Sequence, residues 1–261
     1  MLQLYSLVIL FHTYIGWRLL PDLPFWGIAA LALWLVASTI LTPLPLFARR
    51  MKRQPLADRI AWAGLIAMGW FSSLLVLTVA RDAAVFVVWA MSSSLLSANA
   101  LHATQMYSAA AVPVLAALLT LIGLINARRR AQVRSVDVPI AGLPASLHGF
   151  TIAQISDIHI GTTIKRKYVD AIVDAVNDLD ADMIAVTGDL VDGSVMQLSQ
   201  HAQPMSRLSA RYGAYFVTGN HEYYSGAGAW VTELRRLGLR VLMNEHVVLN
   251  HKGEAVVVAG V

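Results

Sequence analysis

The chain has 261 residues, of which 57% are hydrophobic and only 14% are charged. An ordinary soluble domain has about 45–50% apolar and about 25% charged residues, so the composition excludes an average water-soluble globule. The net charge of +4 is unevenly distributed, because residues 1–134 carry a net +8 and residues 135–261 carry a net −4.

The positive charge of the first half lies in short segments between apolar stretches. Membrane proteins distribute charge in this way, whereas nucleic-acid-binding domains concentrate it on one face. We therefore expect no DNA or RNA partner. Cysteine is absent from the sequence, which excludes disulfides and thiolate metal ligands, so a metal must be held by His, Asp, Glu or Asn.

Residues 1–130 are predicted to form a transmembrane region of about four helices. Apolar stretches at residues 4–20, 26–46, 60–80 and 108–125 are close to the roughly 20 residues that a bilayer-spanning helix needs. A fifth stretch, residues 83–96, is shorter and contains three serines, so we expect an interfacial or re-entrant segment.

Basic clusters follow the second and fourth predicted spans, at residues 49–59 and 128–134. By the positive-inside rule both clusters face the cytoplasm. This predicts a multi-pass protein of the cell (inner) membrane, with a cytoplasmic domain joined by a linker at residues 131–149. Arg18 is expected to snorkel to the interface. No predicted span contains a paired acid and base, so the sequence does not support a transport function.

Residues 150–261 change to an α/β pattern. Predicted strands at 150–156, 182–187 and 213–218 alternate with predicted helices at 165–179, 197–211 and 227–237. This alternation is typical of a parallel sheet with covered faces. The last segment predicts a hairpin of residues 241–249 and 255–261 with its turn at 250–253.

Polar side chains follow each of the three predicted strands: Asp157 and His159 the first, Asp189 the second, and Asn220, His221 and Glu222 the third. Ligands bind at the carboxyl ends of the strands in such sheets, so we expect these side chains to converge. Each residue alone could be a helix cap, a turn residue or a core histidine. Together they form an oxygen and nitrogen ligand set that suits Mn, Fe, Zn or Mg.

The ordered motifs Asp-Ile-His, Gly-Asp and Gly-Asn-His-Glu, about 30 residues apart, resemble the calcineurin-like metallophosphoesterase superfamily, specifically its bacterial membrane-anchored branch. The resemblance covers approximately residues 147–261. It implies an αββα sandwich that hydrolyses phosphomonoester, phosphodiester or pyrophosphate bonds. It also implies two divalent metal ions, Mn, Fe or Zn, which activate water and clamp the phosphate.

The resemblance further implies a role for each motif residue. Asp157 and His159 would bind the first metal, Asp189 would bridge both metals, and Asn220 would bind the second. His221 would be catalytic, lying over the leaving group as a proton donor or as a stabiliser of transition-state charge.

Several residues near the motifs are expected to have supporting or structural roles. Glu222 is a candidate to orient the neighbouring histidine from outside the ligand set. Asp192 is expected to be a turn or cap residue. Tyr223, Tyr224 and Trp230 could line a pocket wall, but core packing is the favoured interpretation.

The family's site also uses histidines from two later segments, a lone His and a Gly-His-x-His motif, which residues 150–261 lack, so the resemblance implies that residues 150–261 alone leave both metals short of ligands and do not make a complete active site. His148, His201, His246 and His251 are expected to be surface or loop residues. We therefore interpret residues 150–261 as the N-terminal part of a metallophosphoesterase domain that is apparently truncated at its C-terminus. The membrane anchor favours a lipid or lipid-linked substrate, and the alternative function is a non-catalytic membrane sensor or scaffold that retains the fold.

Overall fold

A computed structural model of the protein describes residues 2–48, 51, 53–95 and 98–261. The chain divides into two compact units, Met1–Arg129 and Arg130–Val261. The first unit is helical, and the second is an α/β unit with a parallel sheet. Arg49, Arg50 and Lys52, which belong to the first predicted basic cluster, lie outside the described residues.

The first unit contains five α-helices among its described residues: α1 (Leu2–Leu19), α2 (Phe25–Leu41), α3 (Leu44–Ala48), α4 (Gln54–Leu95) and α5 (Ala98–Ala127). Three described segments are long and apolar enough to cross a membrane, namely Phe25–Ala48, Gln54–Ala90 and Asn99–Ala127. The 18-residue helix α1 is not among them, so the expectation of four spans remains a prediction.

Helix α4 corrects the predicted re-entrant segment. It continues without a break for 42 residues, so residues 83–95 are its C-terminal part and not a separate element, while Leu96 lies outside the described residues. The two residues that separate the predicted stretches, Arg81 and Asp82, are neither proline nor glycine, and nothing in them interrupts a helix.

Ion pairs inside the first unit correct a second expectation. The Arg18 Nε donates to Asp82 Oδ2 at 2.7 Å, and the Tyr14 hydroxyl donates to the same oxygen at 2.7 Å. Arg81, which is buried, pairs with Asp22 and donates to the Arg18 carbonyl oxygen at 2.9 Å. Acids and bases are therefore paired between segments distant in sequence, and Arg18 is not a lone snorkelling side chain.

The second unit alternates strands and helices, which confirms the predicted α/β class. Its strands are β1 (Ile152–Ile155), β2 (Met183–Val186), β3 (Ala214–Phe216), β4 (Arg240–Val241), β5 (Glu245–His251) and β6 (Glu254–Gly260). Its helices are α6 (Arg166–Asn177), α7 (Val195–Ala202), α8 (Asn220–Ser225) and α9 (Ala227–Arg236). Strands β1 to β4 form a parallel sheet in sequential order, and β5 pairs with β6 in an antiparallel hairpin.

The two faces of the parallel sheet pack against different layers. Side chains such as Ile184 and Phe216 pack with buried residues of α6, α7 and α9 on one face. Their neighbours Met183 and Tyr215 point to the other face and pack against Leu249 of the hairpin. A layer of helices, the parallel sheet and the hairpin therefore stack in that order, which agrees with three layers of the predicted αββα sandwich.

The hairpin is confirmed, but its first strand begins later than predicted. Lys252 and Gly253 have φ angles of 52° and 92°, as a two-residue type I′ turn requires. Val241 belongs instead to β4, and the Leu242 amide donates to the Phe216 carbonyl oxygen at 2.9 Å.

Two smaller expectations are also corrected. The helix predicted at 197–211 is α7 followed by a 3-10 turn, Gln203–Arg207, because Pro204 cannot supply the amide that a continuing α-helix uses. His251, expected at the surface or in a loop, is only 3% exposed and lies 3.0 Å from the Tyr212 hydroxyl. It occupies an inward position of β5, two residues after Leu249, because side chains of a strand alternate between faces.

Candidate metal centre

Three loops meet where β1, β2 and β3 reach their carboxyl ends, and this side of the parallel sheet is called its carboxyl edge. The loops after β1 and β2 pair with each other beyond the strands: the Asp157 amide donates to the Gly188 carbonyl at 3.3 Å, and the His159 amide to the Asp189 carbonyl at 3.1 Å. The third loop joins them because the His221 amide donates to Asp189 Oδ1 at 3.0 Å. Side chains from three distant sequence segments are thus fixed at one edge.

Glycine allows the second and third loops to touch. Gly188 has a φ of 84°, in the left-handed region that glycine tolerates best. A Cβ atom on Gly188 would overlap the backbone of Gly219, and a Cβ atom on Gly219 would overlap the carboxylate of Asp189. Neither position accepts a side chain without moving the loops apart.

The candidate ligands themselves lie in an uncommon backbone conformation. Asp157, His159 and Asp189 have φ angles of 57°, 52° and 50°. Residues other than glycine rarely adopt the left-handed region, and such conformations cost on the order of 1–3 kcal/mol each. Strain of this kind concentrates at functional sites, and here it occurs at three of the residues that the motifs single out.

The side chains of Asp157, His159 and Asp189 are close enough to share a metal ion. Each offers one ligand atom, and these atoms all lie within 4.8 Å of one another. Carboxylate oxygens and an imidazole nitrogen are suitable donors for Mn, Fe or Zn. The site is open to solvent, since the Asp157 side chain is 64% exposed.

The position of Asn220 also fits a cation. Its terminal amide places one atom 3.2 Å from both carboxylate oxygens of Asp189. With the amide nitrogen there, it donates to the carboxylate. Turned the other way, the amide would present its oxygen, which is a suitable ligand for a divalent cation. The donor set therefore fits divalent metal binding.

Asp192 is the functional candidate that the sequence analysis missed. Its Oδ1 lies 3.2 Å from His159 Nδ1 and 2.5 Å from His221 Nδ1, and these three residues form a second cluster of potential ligands. Asp192 does lie in a bend before α7, as expected of a turn residue, but its carboxylate also contacts two histidines, which the sequence analysis did not predict.

The contact with Asp192 has two consequences for the histidines. The hydrogen bond to the Asp192 carboxylate raises the pKa of His221 above its usual value, with nearby carboxylates adding to the effect and desolvation opposing it. Asp192 contacts Nδ1 of both histidine rings, so Nε2 is the ring nitrogen that is available to bind a metal or to transfer a proton. The Nε2 of His159 lies 3.9 Å from Asp157 Oδ1, on the side of the candidate ligands.

Glu222 holds the loops together: its hydrogen bonds go to backbone amides, whereas the sequence analysis expected it to orient the imidazole of His221. Its side chain is fully buried. Oε2 accepts the amides of Asp189 and Gly219 at 2.9 and 2.7 Å, and Oε1 accepts those of Leu190 and Val191 at 2.8 and 3.2 Å. One carboxylate thereby fixes the second loop against the third.

The aromatic residues Tyr223, Tyr224 and Trp230, which come after Glu222 in the sequence, differ in their exposure. Trp230 is fully buried and its Nε1 donates to the Gly193 carbonyl at 2.8 Å, which confirms core packing. Tyr223 and Tyr224 are 62% and 80% exposed, so the same expectation is wrong for them.

Comparison with known proteins shows which proteins the chain is similar to. Residues 150–257 match the calcineurin-like phosphoesterase family. A transmembrane protein with metallophosphoesterase domain from Danio rerio is 38% identical over 51% of this chain and 31% of its own length. An uncharacterized metallophosphoesterase of Campylobacter jejuni is 31% identical over 52% of this chain and 36% of its own length.

A more distant relative has a specific name. The UDP-2,3-diacylglucosamine pyrophosphatase of Chlamydia muridarum is 32% identical over 30% of this chain and 24% of its own length. The chain thus covers about a third or less of the length of these relatives. No solved structure gave a significant match.

Proposed function

We propose that the protein is a membrane-anchored, metal-dependent phosphoesterase, because residues 150–257 match the calcineurin-like phosphoesterase family. The observation that carries this proposal is the convergence of Asp157, His159 and Asp189, whose ligand atoms lie within 4.8 Å of one another. The reaction is hydrolysis of a phosphomonoester, phosphodiester or pyrophosphate bond.

We propose that this edge holds two divalent metal ions, Mn, Fe or Zn. Asp157 and His159 would hold one ion, Asp189 would contact both, and Asn220 would hold the other. Asp189 suits the shared position because its carboxylate faces Asn220, and the Asp157 and His159 ligand atoms lie nearby. Divalent ions bound there would activate water and neutralise charge on the phosphate.

His221 is the proposed proton donor to the leaving group. Its Nδ1 is held by Asp192, which leaves Nε2 as the proton-carrying atom for a substrate at the open edge. As the phosphorus–oxygen bond breaks, the departing oxygen takes the proton from Nε2. Asp192 keeps the ring oriented and stabilises its protonated form.

The role of Asp192 predicts a selective loss of turnover. The variant Asp192→Asn is expected to lower kcat by about 10- to 100-fold, the range typical for partners of ligands and catalytic groups. KM is expected to change little, because Asp192 is not proposed to contact the substrate. Steady-state kinetics at saturating Mn²⁺ measures both quantities. The control is Asp178→Asn, at an exposed carboxylate at the end of α6. An unchanged kcat in Asp192→Asn would refute the proposed orienting role of Asp192.

Metal removal tests the proposed reaction itself. The full-length protein, purified in detergent, is expected to hydrolyse bis(p-nitrophenyl) phosphate with Mn²⁺, to lose activity after chelation, and to regain it when Mn²⁺ is added back. Hydrolysis that persists at full rate in the chelated protein would contradict metal dependence. Absence of hydrolysis together with retained metal binding would favour a sensor or scaffold.

A lipid-linked phosphate is the proposed substrate type. Two observations support it: the same chain carries apolar helices long enough to span a membrane, and one relative is named for action on a diacylated sugar nucleotide. The net charge of −4 on residues 135–261 disfavours nucleic acid as a substrate. Comparing hydrolysis of an acylated and a deacylated phosphodiester tests the proposal, and equal kcat/KM values would oppose it.

We propose an inner-membrane location with the phosphoesterase domain in the cytoplasm. The basic clusters before α4 and after α5 are separated by two membrane-spanning candidates, so they lie on the same side whether or not α1 also spans. Positive charge places that side in the cytoplasm. A reporter fused after Arg134 tests this, and activity of a reporter that functions only in the periplasm would overturn it.

A further inference from the structure

Two exposed tyrosines lie on the helix that carries the proposed proton donor. Helix α8 begins at Asn220 and ends at Ser225. Tyr223 and Tyr224 follow the Gly-Asn-His-Glu motif directly and are 62% and 80% exposed. We propose that Tyr224, flanked by Tyr223, is a platform that binds a planar ring on the leaving group of the substrate. This inference rests on the proposed function.

The short helix has two faces with different surroundings. Glu222 and Ser225, three residues apart, face inward: Glu222 is fully buried, and the Ser225 hydroxyl donates to the Val191 carbonyl at 3.1 Å. His221 and Tyr224, also three residues apart, share the other face. Their ring centroids are 5.7 Å apart at an interplanar angle of 67°.

This contact places the Tyr224 ring beside His221, the proposed proton donor to the departing oxygen. When the leaving oxygen of a substrate contacts His221 Nε2, the atoms bonded to that oxygen must lie next to the imidazole ring. Because Tyr224 contacts the imidazole ring and is mostly exposed, its aromatic surface is available to that part of the substrate. The contact is therefore continuous with the proposed reaction site.

Aromatic surface of this kind matches a planar partner. The face of a tyrosine ring stacks on other flat rings, and stacking on protein aromatics is tolerant of ring identity because every such ring has a π-face. The structure therefore points to phosphate esters whose leaving group carries an aryl or heteroaromatic ring. A leaving group that is only a small alkyl chain would gain little from Tyr224.

A binding measurement separates this platform from the proposed catalysis. Phenylphosphonate and methylphosphonate share a phosphoryl group and differ in the ring, and neither has the ester bond that would be cleaved. Titration calorimetry on the Mn²⁺-loaded full-length protein in detergent gives Kd for each. We expect the wild type to prefer phenylphosphonate, and Tyr224→Ala to reduce the ratio of the two affinities by about fivefold or more.

Two further variants sharpen the test. Tyr224→Phe keeps the ring and is expected to retain the preference, while Met196→Ala, at a side chain that is 93% exposed on α7, should leave it unchanged. Equal binding of both phosphonates by the wild type, or an unchanged ratio in Tyr224→Ala, would overturn the platform and leave the proposed function intact. Failure of the Mn²⁺-loaded protein to bind either phosphonate would count against both.

Discussion

Replacing Asp189 by alanine is expected to lower phosphodiester hydrolysis by more than a hundredfold, beyond the about 10- to 100-fold typical for residues that support metal ligands indirectly. Asp189 is central to the site in three ways. Its carboxylate is near the ligand atoms of Asp157 and His159, faces Asn220, and accepts the backbone amide of His221. Its loss removes negative charge where cations would bind and frees the third loop.

The isosteric variant Asp189→Asn distinguishes these effects. Its side-chain oxygen can still accept the amide of the third loop, but the negative charge is gone. We expect activity to fall nearly as far as in Asp189→Ala, with a smaller change in melting temperature. Asp178→Ala is the matched control on an exposed carboxylate. Rates of Mn²⁺-dependent hydrolysis within a few-fold of wild type in both Asp189 variants would contradict the assignment.

Replacing Glu222 by alanine is expected to cause the largest loss of stability at this edge. Four backbone amides, those of Asp189, Leu190, Val191 and Gly219, donate to its buried carboxylate. A buried donor left without a partner costs about 1–3 kcal/mol. Some amides will be satisfied by water that enters the gap, so we expect the free energy of unfolding to fall by about 3 kcal/mol or more.

Thermal denaturation of the full-length protein, with and without Mn²⁺, measures this effect. Glu222→Gln is expected to be intermediate, because the amide oxygen can still accept hydrogen bonds while the NH₂ group faces backbone donors. Glu245→Ala, at an exposed position at the start of β5, is the control. A melting temperature of Glu222→Ala equal to that of the control would mean that the loops are held together by other contacts.

The sequence predicted the features that depend on local pattern. The alternation of strands and helices in residues 150–237 placed β1, β2 and β3, and the motifs after each strand placed Asp157, Asp189 and Asn220 at one edge. That convergence follows from a general property of parallel sheets, whose strands end at the same side. It required no knowledge of individual side-chain contacts.

Three other features depend on contacts between distant segments. Arg18 pairs with Asp82 across 64 positions of the chain, and no local pattern identifies such a partner. Asp192 likewise acts on histidines 33 and 29 positions away, so it looked like an ordinary turn residue. Glu222 was assigned to its sequence neighbour, whereas its hydrogen bonds reach backbone amides of another loop.

Backbone strain was also beyond the sequence analysis. Nothing in the residue types of Asp157 or His159 specifies a left-handed φ, although aspartate tolerates that region better than most residues. The conformation arises because the first and second loops continue to exchange hydrogen bonds after their strands end. The same hydrogen bonds bring the candidate ligands together.

Titration with Mn²⁺, followed by the electron paramagnetic resonance signal of the free ion, tests most directly whether Asp157, His159, Asp189 and Asn220 act on shared cations. The wild type should bind two ions per chain, as a two-metal phosphoesterase requires, and Asp189→Ala should lose measurable binding of at least one. Identical stoichiometry and affinity in the two proteins would show that metal ions, if bound, are held somewhere else.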